Sequence, residues 1–407
     1  MNIIVVGGGA SGLYAAITAA KAGGKVTVLE KNEIYGKKLL ATGNGRCNFT
    51  NRQQMPEKYH SKEEKFPWQV LSSWPEKVTE ESFADMGVFA KDRNGWLYPY
   101  SDQAQALRDL LLMEARACKV KMKTMQNVLA LKKDGNEFAL VTEGYTYKAN
   151  QVILACGSPA SLSQADSWNG LELAENLGHR IVKPLPALTG LKGKGNFFGK
   201  WSGLRFRAGL QLEANGKKIA KNQVGEVQFT DYGISGIPAF QLSRHIARGI
   251  DEGQKLILHL DFMPDLTEEE LETLLEKRIS SAKEKGKNLE EAMIGLFPKK
   301  LIPVLLDKKR NVETDAEIHE LTSHIKDFLL PLKGTMDLSH AQVMSGGVDC
   351  RDIDPKSMES RIVKGLYFAG EIVDVDGDCG GYNLQWAWSS GHLAGICAAT
   401  AGGVCND

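Results

Sequence analysis

The first thirty residues constrain this chain more than any other stretch. Residues 3–6 (IIVV) are a continuous run of apolar, β-branched side chains, the composition of a strand buried on both faces. Glycines follow, then an alanine-rich helix (LYAAITAAKAGG) ending on a glycine pair, then a second apolar strand, KVTVLE. This is one β-α-β unit of a parallel sheet. Gly7-x-Gly9-x-x-Gly12 lies directly between strand and helix. The first glycine permits the tight turn, the second lets backbone approach a pyrophosphate, and the third lets helix and strand pack closely. The helix N-terminus attracts the phosphates. Ala16 is small where the helix crosses the sheet, and Glu30 ends the second strand, where a carboxylate accepts hydrogen bonds from ribose hydroxyls. A dinucleotide site is predicted.

The far end of the chain bears on which dinucleotide. No second strand–GxGxxG–helix appears, and Gly193-x-Gly195 lacks both a preceding apolar strand and a following helix. Residues 365–371 (GLYFAGE) read as a strand ending in Gly-Glu, and DGDCGGYN at 376–383 leads into a last helix over about 383–400. A second glycine-rich helix start near Gly380 suits a flavin dinucleotide, whose ribityl or pyrimidine end a helix dipole stabilises. FAD is the predicted cofactor. NAD(P)H can reduce the flavin transiently, but no dedicated site for it is predicted.

Lys+Arg and Asp+Glu both number 50 in 407 residues, so the formal net charge is zero. That balance disfavours nucleic acid or an anionic membrane as the main partner. Nothing before residue 3 resembles a signal peptide and no apolar run of ~18 residues occurs, so a cytoplasmic, non-membrane protein is expected. Seven cysteines (47, 118, 156, 350, 379, 397, 405) show no C-x-x-C spacing, which predicts neither a zinc site nor a redox dithiol. The eight histidines have no paired spacing, and no metal is expected.

An amphipathic helix is predicted over 102–117 with Ser101 as N-cap, then a small antiparallel meander over 119–148 and a return strand at 151–157. Residues 188–265 are largely short, glycine-interrupted and alternating, and 266–334 are mainly helical and strongly charged, as a solvated face requires. The expected architecture is α/β. A Rossmann-type FAD-binding domain (1–187 and 335–407) is interrupted by a β-rich domain (188–265) and a helical subdomain (266–334).

The segments VVGGGASGLYAA, GKKLLATGNGRCNFTN (36–51), MSGGV (344–348) and GLYFAGEIVDVDGDCGGYNLQWAWSSG together resemble the BaiN-like, aminoacetone-oxidase-like family of bacterial flavoproteins. The resemblance covers nearly the whole chain, and TGNGRCN is its distinctive piece. It implies a glutathione-reductase-like FAD domain with an inserted antiparallel β-barrel-like piece and a helical piece, and FAD bound without a covalent link. Gly7, Gly9, Ala10, Ser11 and Gly12 would face the pyrophosphate, and Glu30 and Lys31 the adenosine, with Val128 touching the adenine side through its backbone. Lys38, Thr42, Gly43, Asn44, Arg46, Cys47 and Asn48 would lie along the ribityl–flavin stretch. Ala155, Cys156 and Gly157 would end a strand beside the cofactor. Gly346, Gly347, Gly370, Glu371, Asp376, Gly380, Gly381, Tyr382, Asn383 and Leu384 would frame the ring.

The implied activity is reduction of a carbon–carbon double bond conjugated to a ketone in a hydrophobic ring, with a small-molecule substrate. An amine or hydroxy-acid oxidase using oxygen is one alternative, and a flavoprotein acting on tRNA another. Arg46 is expected as a buried cation that either binds the cofactor phosphate or stabilises negative charge on reduced flavin or on an enolate. Residues 229–233 (FTDYG) depart from a family segment that usually reads Phe-Thr-His-x-Gly, which puts Asp231 at the histidine position and makes Asp231 and Tyr232 proton-donor candidates. Cys47 and Cys156 are expected as packing neighbours of the cofactor rather than redox partners.

Overall fold

The computed structural model describes residues 1–161, 169–307, 312 and 314–401, and Cys405 lies outside them. The chain divides into two compact units, Met1–Leu185 with Val343–Asp407, and Pro186–Gln342.

The first unit is built on a five-stranded parallel sheet. Its spatial order is Leu366–Phe368, Gln151–Leu154, Asn2–Val6, Lys25–Leu29 and Lys121–Lys123. The central strands are buried on both faces, which is why their sequences are continuously apolar instead of alternating. Helix Ala10–Lys21 follows the first strand, and the closing helix Tyr382–Thr400 packs on it. Two glycines four residues apart make that packing close. A Cβ on Gly391 would stand 2.7 Å from the Ser11 carbonyl oxygen, and one on Gly395 2.4 Å from that of Ala15. Because both numbers rise together, the two helices run parallel and start at the same end of the sheet. Helix Ala104–Ala117 begins on Gln103, not on Ser101. The intervening Asp102 adopts a left-handed conformation (φ 54°), and its carboxylate is taken up by Lys91 and Arg93 at 2.8 and 2.7 Å. The predicted meander begins later than expected: Lys121–Lys123 joins the parallel sheet, and Ala130–Asp134, Glu137–Val141 and Thr146–Ala149 form the three-stranded antiparallel sheet.

The second unit is a closed antiparallel barrel of six strands. In spatial order they are Leu191–Gly193, Gly233–Ser235, Lys217–Phe229, Arg205–Ala214, Leu256–Asp261 and Phe328–Thr335. Closure removes the free edges that short alternating strands would otherwise expose. The β-rich and helical segments share one apolar cluster, in which Leu258, Leu260 and Phe262 join Leu271, Leu275 and Ile279 of helix Glu268–Glu284. Residues 336–342 stay with the barrel through backbone bonds from Met336 N–H to Gly190 O (2.8 Å) and Gln342 N–H to Leu188 O (3.2 Å). Among the described residues no helix is long and apolar enough to cross a membrane.

Candidate functional site

The carboxyl ends of the parallel strands in the first unit gather most of the predicted site residues, at the crevice where open α/β sheets bind ligands. The three fingerprint glycines prove to have different reasons for being glycine. Gly7 has φ 105°, and a Cβ there would meet the Ala155 carbonyl oxygen at 2.3 Å; a Cβ on Gly12 would meet the Gly7 carbonyl oxygen at 1.9 Å. Both are demanded by the fold. Gly9 is not: its φ is −81°, and a Cβ there would meet nothing within 4 Å. The protein's own packing gives no reason for glycine at this position, whereas a phosphate approaching the backbone does. The helix that starts here has no side-chain cap and no acidic residue in its first turn, so its first N–H groups stay open to an anion.

Glu30 is buried, and its carboxylate organises this loop. One oxygen accepts from Gly8 N–H at 2.7 Å, and the other from the Asn32 backbone and side-chain N–H groups at 2.8 and 2.6 Å. A carboxylate has about four acceptor positions, so capacity for a ribose hydroxyl remains. Tyr35 was not foreseen. A Cβ on Gly8 would stand 2.3 Å from its ring, and its hydroxyl is buried without a partner among the described residues. Burial, with the Glu30 charge adding, pushes the Tyr35 phenol up to about 12. A cavity of about 440 Å³ is lined by Lys31, Gln126, Asn127, Tyr145 and Tyr147 among others.

The second helix start lies farther along the same crevice. Tyr382 precedes Gly391 by nine residues, while Ala10 precedes its opposite neighbour Ser11 by one. At ~1.5 Å per residue the closing helix therefore begins ~12 Å beyond the first. An extended ribityl chain with its phosphate covers such a distance. This helix too is capped by glycine, Gly381 at φ 89°, with no side-chain cap and no acid in its first turn. A Cβ on Gly381 would meet the Asn48 Oδ1 at 2.0 Å. The Asn48 carboxamide is buried, and neither its nitrogen nor its oxygen has a partner among the described residues. An unpaired buried amide costs ~1–3 kcal/mol. A ring edge offering both a donor and an acceptor, as the pyrimidine end of an isoalloxazine does, would satisfy it. An extended flavin dinucleotide thus fits the open Gly9, the two staggered helix starts and the orphaned Asn48.

The segment 36–51 joins the two ends. Gly36 N–H donates to Gly8 O at 2.8 Å, and short helix Lys37–Ala41 follows. Residues 47–51 are buried and tied to the closing helix, where Trp388 Nε1–H donates to Phe49 O (2.8 Å) and Thr50 Oγ1–H to Gln385 Oε1 (2.5 Å). Asn51, also unforeseen, donates to Gly380 O at 2.9 Å. Between these anchors Gly43, Asn44 and Arg46 are exposed. Arg46 is therefore not the buried cation its neighbours suggested. The left-handed Gly43–Asn44 pair turns the chain outward before Cys47 returns to the interior. Thr42 spends its hydroxyl on Leu39 O (2.6 Å), and Lys38 pairs with Glu371 at 2.6 Å.

Burial pushes the thiols of Cys47 and Cys156 up to about 12, which leaves both protonated and poorly nucleophilic at neutral pH. Ala155 and Gly157 flank Cys156 at the end of the central strand, and Val128 is buried before the meander. Gly346 and Gly347 are glycine for packing, since Cβ atoms there would meet Lys183 O and Ile372 O at 2.5 Å. Gly370 accepts from Trp386 Nε1–H (3.0 Å) and donates to Ser390 Oγ (2.9 Å). Asp376 is buried, pairing through its backbone with His60. Asn383 clamps the preceding turn, accepting from Gly377 N–H (2.8 Å) and donating to Gly377 O (2.7 Å). Tyr382 donates to Gln53 O (3.0 Å), and Leu384 is partly exposed. Asp231 and Tyr232 lie in the second unit, at the tip between strands Lys217–Phe229 and Gly233–Ser235. Asp231 is exposed, and the Tyr232 hydroxyl lies against Gly190.

Comparison with known proteins agrees with this architecture. The chain is 42% identical over 409 residues to a 3-dehydro-bile acid delta(4,6)-reductase of Clostridium scindens, spanning 98% of this chain and 99% of the relative. It is 30% identical over 408 residues to the ribosomal RNA dihydrouridine synthase of Escherichia coli, spanning 96% of each. A solved 3-ketosteroid delta1-dehydrogenase from Sterolibacterium denitrificans has a TM-score of 0.52 at 14% identity, over 98% of this chain and 99% of that one, a likeness of fold alone. A family model described as the HI0933-like protein Rossmann domain matches residues 1–397, and the chain belongs to that family.

Proposed function

We propose that this chain is an FAD-dependent oxidoreductase that reduces a carbon–carbon double bond conjugated to a carbonyl in a small hydrophobic ring compound. The observation that carries the reading is the full-length 42% identity to the bile-acid reductase. Bound non-covalently in the crevice, FAD would supply a hydride to the β-carbon of such a system. The chain's own residues divide the remaining work. The two open helix starts hold the pyrophosphate and the far end of the ring. Asn48 fixes the pyrimidine edge, and Glu30 holds the glycine loop while taking a ribose hydroxyl. Arg46, exposed on its outward turn, is available to a substrate oxygen on which enolate charge develops. NAD(P)H serves as the electron donor.

A second reading has its own support. The Escherichia coli relative makes dihydrouridine in ribosomal RNA, and a uracil ring also carries a double bond conjugated to a carbonyl. Both relatives therefore point to one reaction class on different substrates. The balanced net charge favours the small molecule.

The test is anaerobic reduction of the flavin-loaded protein by NADH or NADPH, then reoxidation by 3-keto-steroid enones, by unmodified ribosomal RNA, or by oxygen. Fast reoxidation by an enone is expected. Reoxidation by oxygen alone would replace the reductase with the oxidase alternative, and reoxidation by RNA alone would transfer the reading to the second substrate.

A further inference from the structure

An ion pair in the crevice joins Lys38 and Glu371, 333 residues apart in sequence, with Nζ and Oε2 at 2.6 Å. Their side chains are 29% and 19% exposed, so water screens them less than it screens surface pairs. Glu371 cannot swing away freely, because its other oxygen accepts from Met344 N–H at 3.0 Å. Lys38 also reaches the buried Ser158 hydroxyl at 3.4 Å. The carboxylate is thus fixed by backbone, and the ammonium is fixed by the carboxylate. Lys38 follows strand Lys25–Leu29, Ser158 follows Gln151–Leu154, and Glu371 follows Leu366–Phe368. Three parallel strands therefore deliver these groups to one place at the carboxyl edge of the sheet, among the residues assigned to the cofactor. An anchor for the fold alone would need neither the partial burial nor a backbone donor to aim the acid.

We propose that Lys38 is the cation that sets the reduction potential of the bound flavin, and that Glu371 is the positioning residue that holds it and moderates its charge. A hydride arriving on the ring brings two electrons and one proton, so the ring gains one negative charge. A fixed ammonium nearby stabilises that charge, and a fixed carboxylate opposes it. Removing the two partners must therefore move the potential in opposite directions, which a merely structural tie would not do.

The inference rests on FAD occupying the crevice, and the experiment separates the two claims. The full chain is loaded with FAD, and the midpoint potential is read against a reference dye for wild type, Lys38→Met, Lys38→Arg, Glu371→Gln and the Lys38→Met/Glu371→Gln pair. Glutamine keeps the acceptor for Met344 N–H. The expected result is a more negative potential for Lys38→Met, a more positive one for Glu371→Gln, a value near wild type for Lys38→Arg, and an intermediate one for the pair. Should Lys38→Met fail to hold flavin, the rise in Glu371→Gln and the constancy of Lys38→Arg decide the matter. Flavin-bound variants whose potentials do not move, or move the same way, overturn the proposal. A folded wild-type chain that takes up no FAD overturns the cofactor assignment instead.

Discussion

Two helices of the barrel unit and the two long helices of the crevice begin in opposite ways. Helix Glu268–Glu284 opens on a capping box, with Thr267 Oγ1 accepting from Glu270 N–H (3.2 Å) and Glu270 Oε2 accepting from Thr267 N–H (2.8 Å); Glu268 and Glu269 add negative charge to its first turn. Helix Asp315–Lys326 repeats the arrangement with Thr314 and Glu317. Such caps contribute ~1 kcal/mol each, and a first-turn acid a further ~0.3–1 kcal/mol. Helices Ala10–Lys21 and Tyr382–Thr400 forgo both, starting on Gly9 and Gly381 with no side-chain cap and no acid. Helices Glu268–Glu284 and Asp315–Lys326 satisfy their own starts, although helix Ile237–Asp251 of the same unit starts on Gly236 without a side-chain cap; the two crevice helices leave theirs to whatever lies in the crevice.

The sharpest way to break this contrast is at the fingerprint glycines. Gly12→Ala, which drives a Cβ into the Gly7 carbonyl, should lose both FAD and more than ~2 kcal/mol of stability. Gly9→Ala, whose Cβ meets no protein atom within 4 Å, should cut FAD affinity at least about tenfold while apo stability stays within ~0.5 kcal/mol. Flavin titration with apo-protein melting distinguishes them, and equal loss of stability in both would remove the argument that Gly9 serves a ligand. Next in size, Ala10→Asp supplies the missing first-turn acid. Apo stability should hold or rise by up to ~1 kcal/mol while FAD affinity falls at least about tenfold, since anion and acid compete for one helix end. Thr267→Ala in the barrel unit should do the reverse, costing ~1 kcal/mol with FAD affinity unchanged.

The smallest effect concerns pH. His392 stacks on Trp74 at 3.5 Å on the closing helix, and burial holds its imidazole down at about 4. A depressed folded pKa means the unfolded chain binds the proton first. Stability is therefore full above about 6.5 and declines as pH falls toward about 4. His392→Phe should flatten that part of a denaturant-midpoint profile, and an unchanged slope would show that other groups control it.

How much of this was legible in the sequence follows from what local pattern encodes. The first strand, the glycine loop and Glu30 are contiguous, so their spacing alone announces a Rossmann-type start, and the alternating segments announced antiparallel structure. The roles inside the loop were not legible, because whether Gly7 faces a carbonyl or empty space depends on Ala155, 148 residues beyond it. The Gly391-x-x-x-Gly395 spacing was visible and could have revealed the parallel helix pair. Arg46 was misjudged because its apolar and glycine neighbours suggested burial, whereas left-handed Gly43 and Asn44 turn the chain outward. Tyr35, Asn51 and the Lys38–Glu371 pair depend on contacts that cross the chain or link it to its far end, and no local pattern carries those.

The central claim is that the open helix starts and the orphaned Asn48 exist for one flavin dinucleotide. The most direct measurement is the flavin released by acid from the purified, folded full chain after incubation with FAD and gel filtration. One FAD per chain, recovered intact, is the predicted result. A folded chain that retains none would contradict the account.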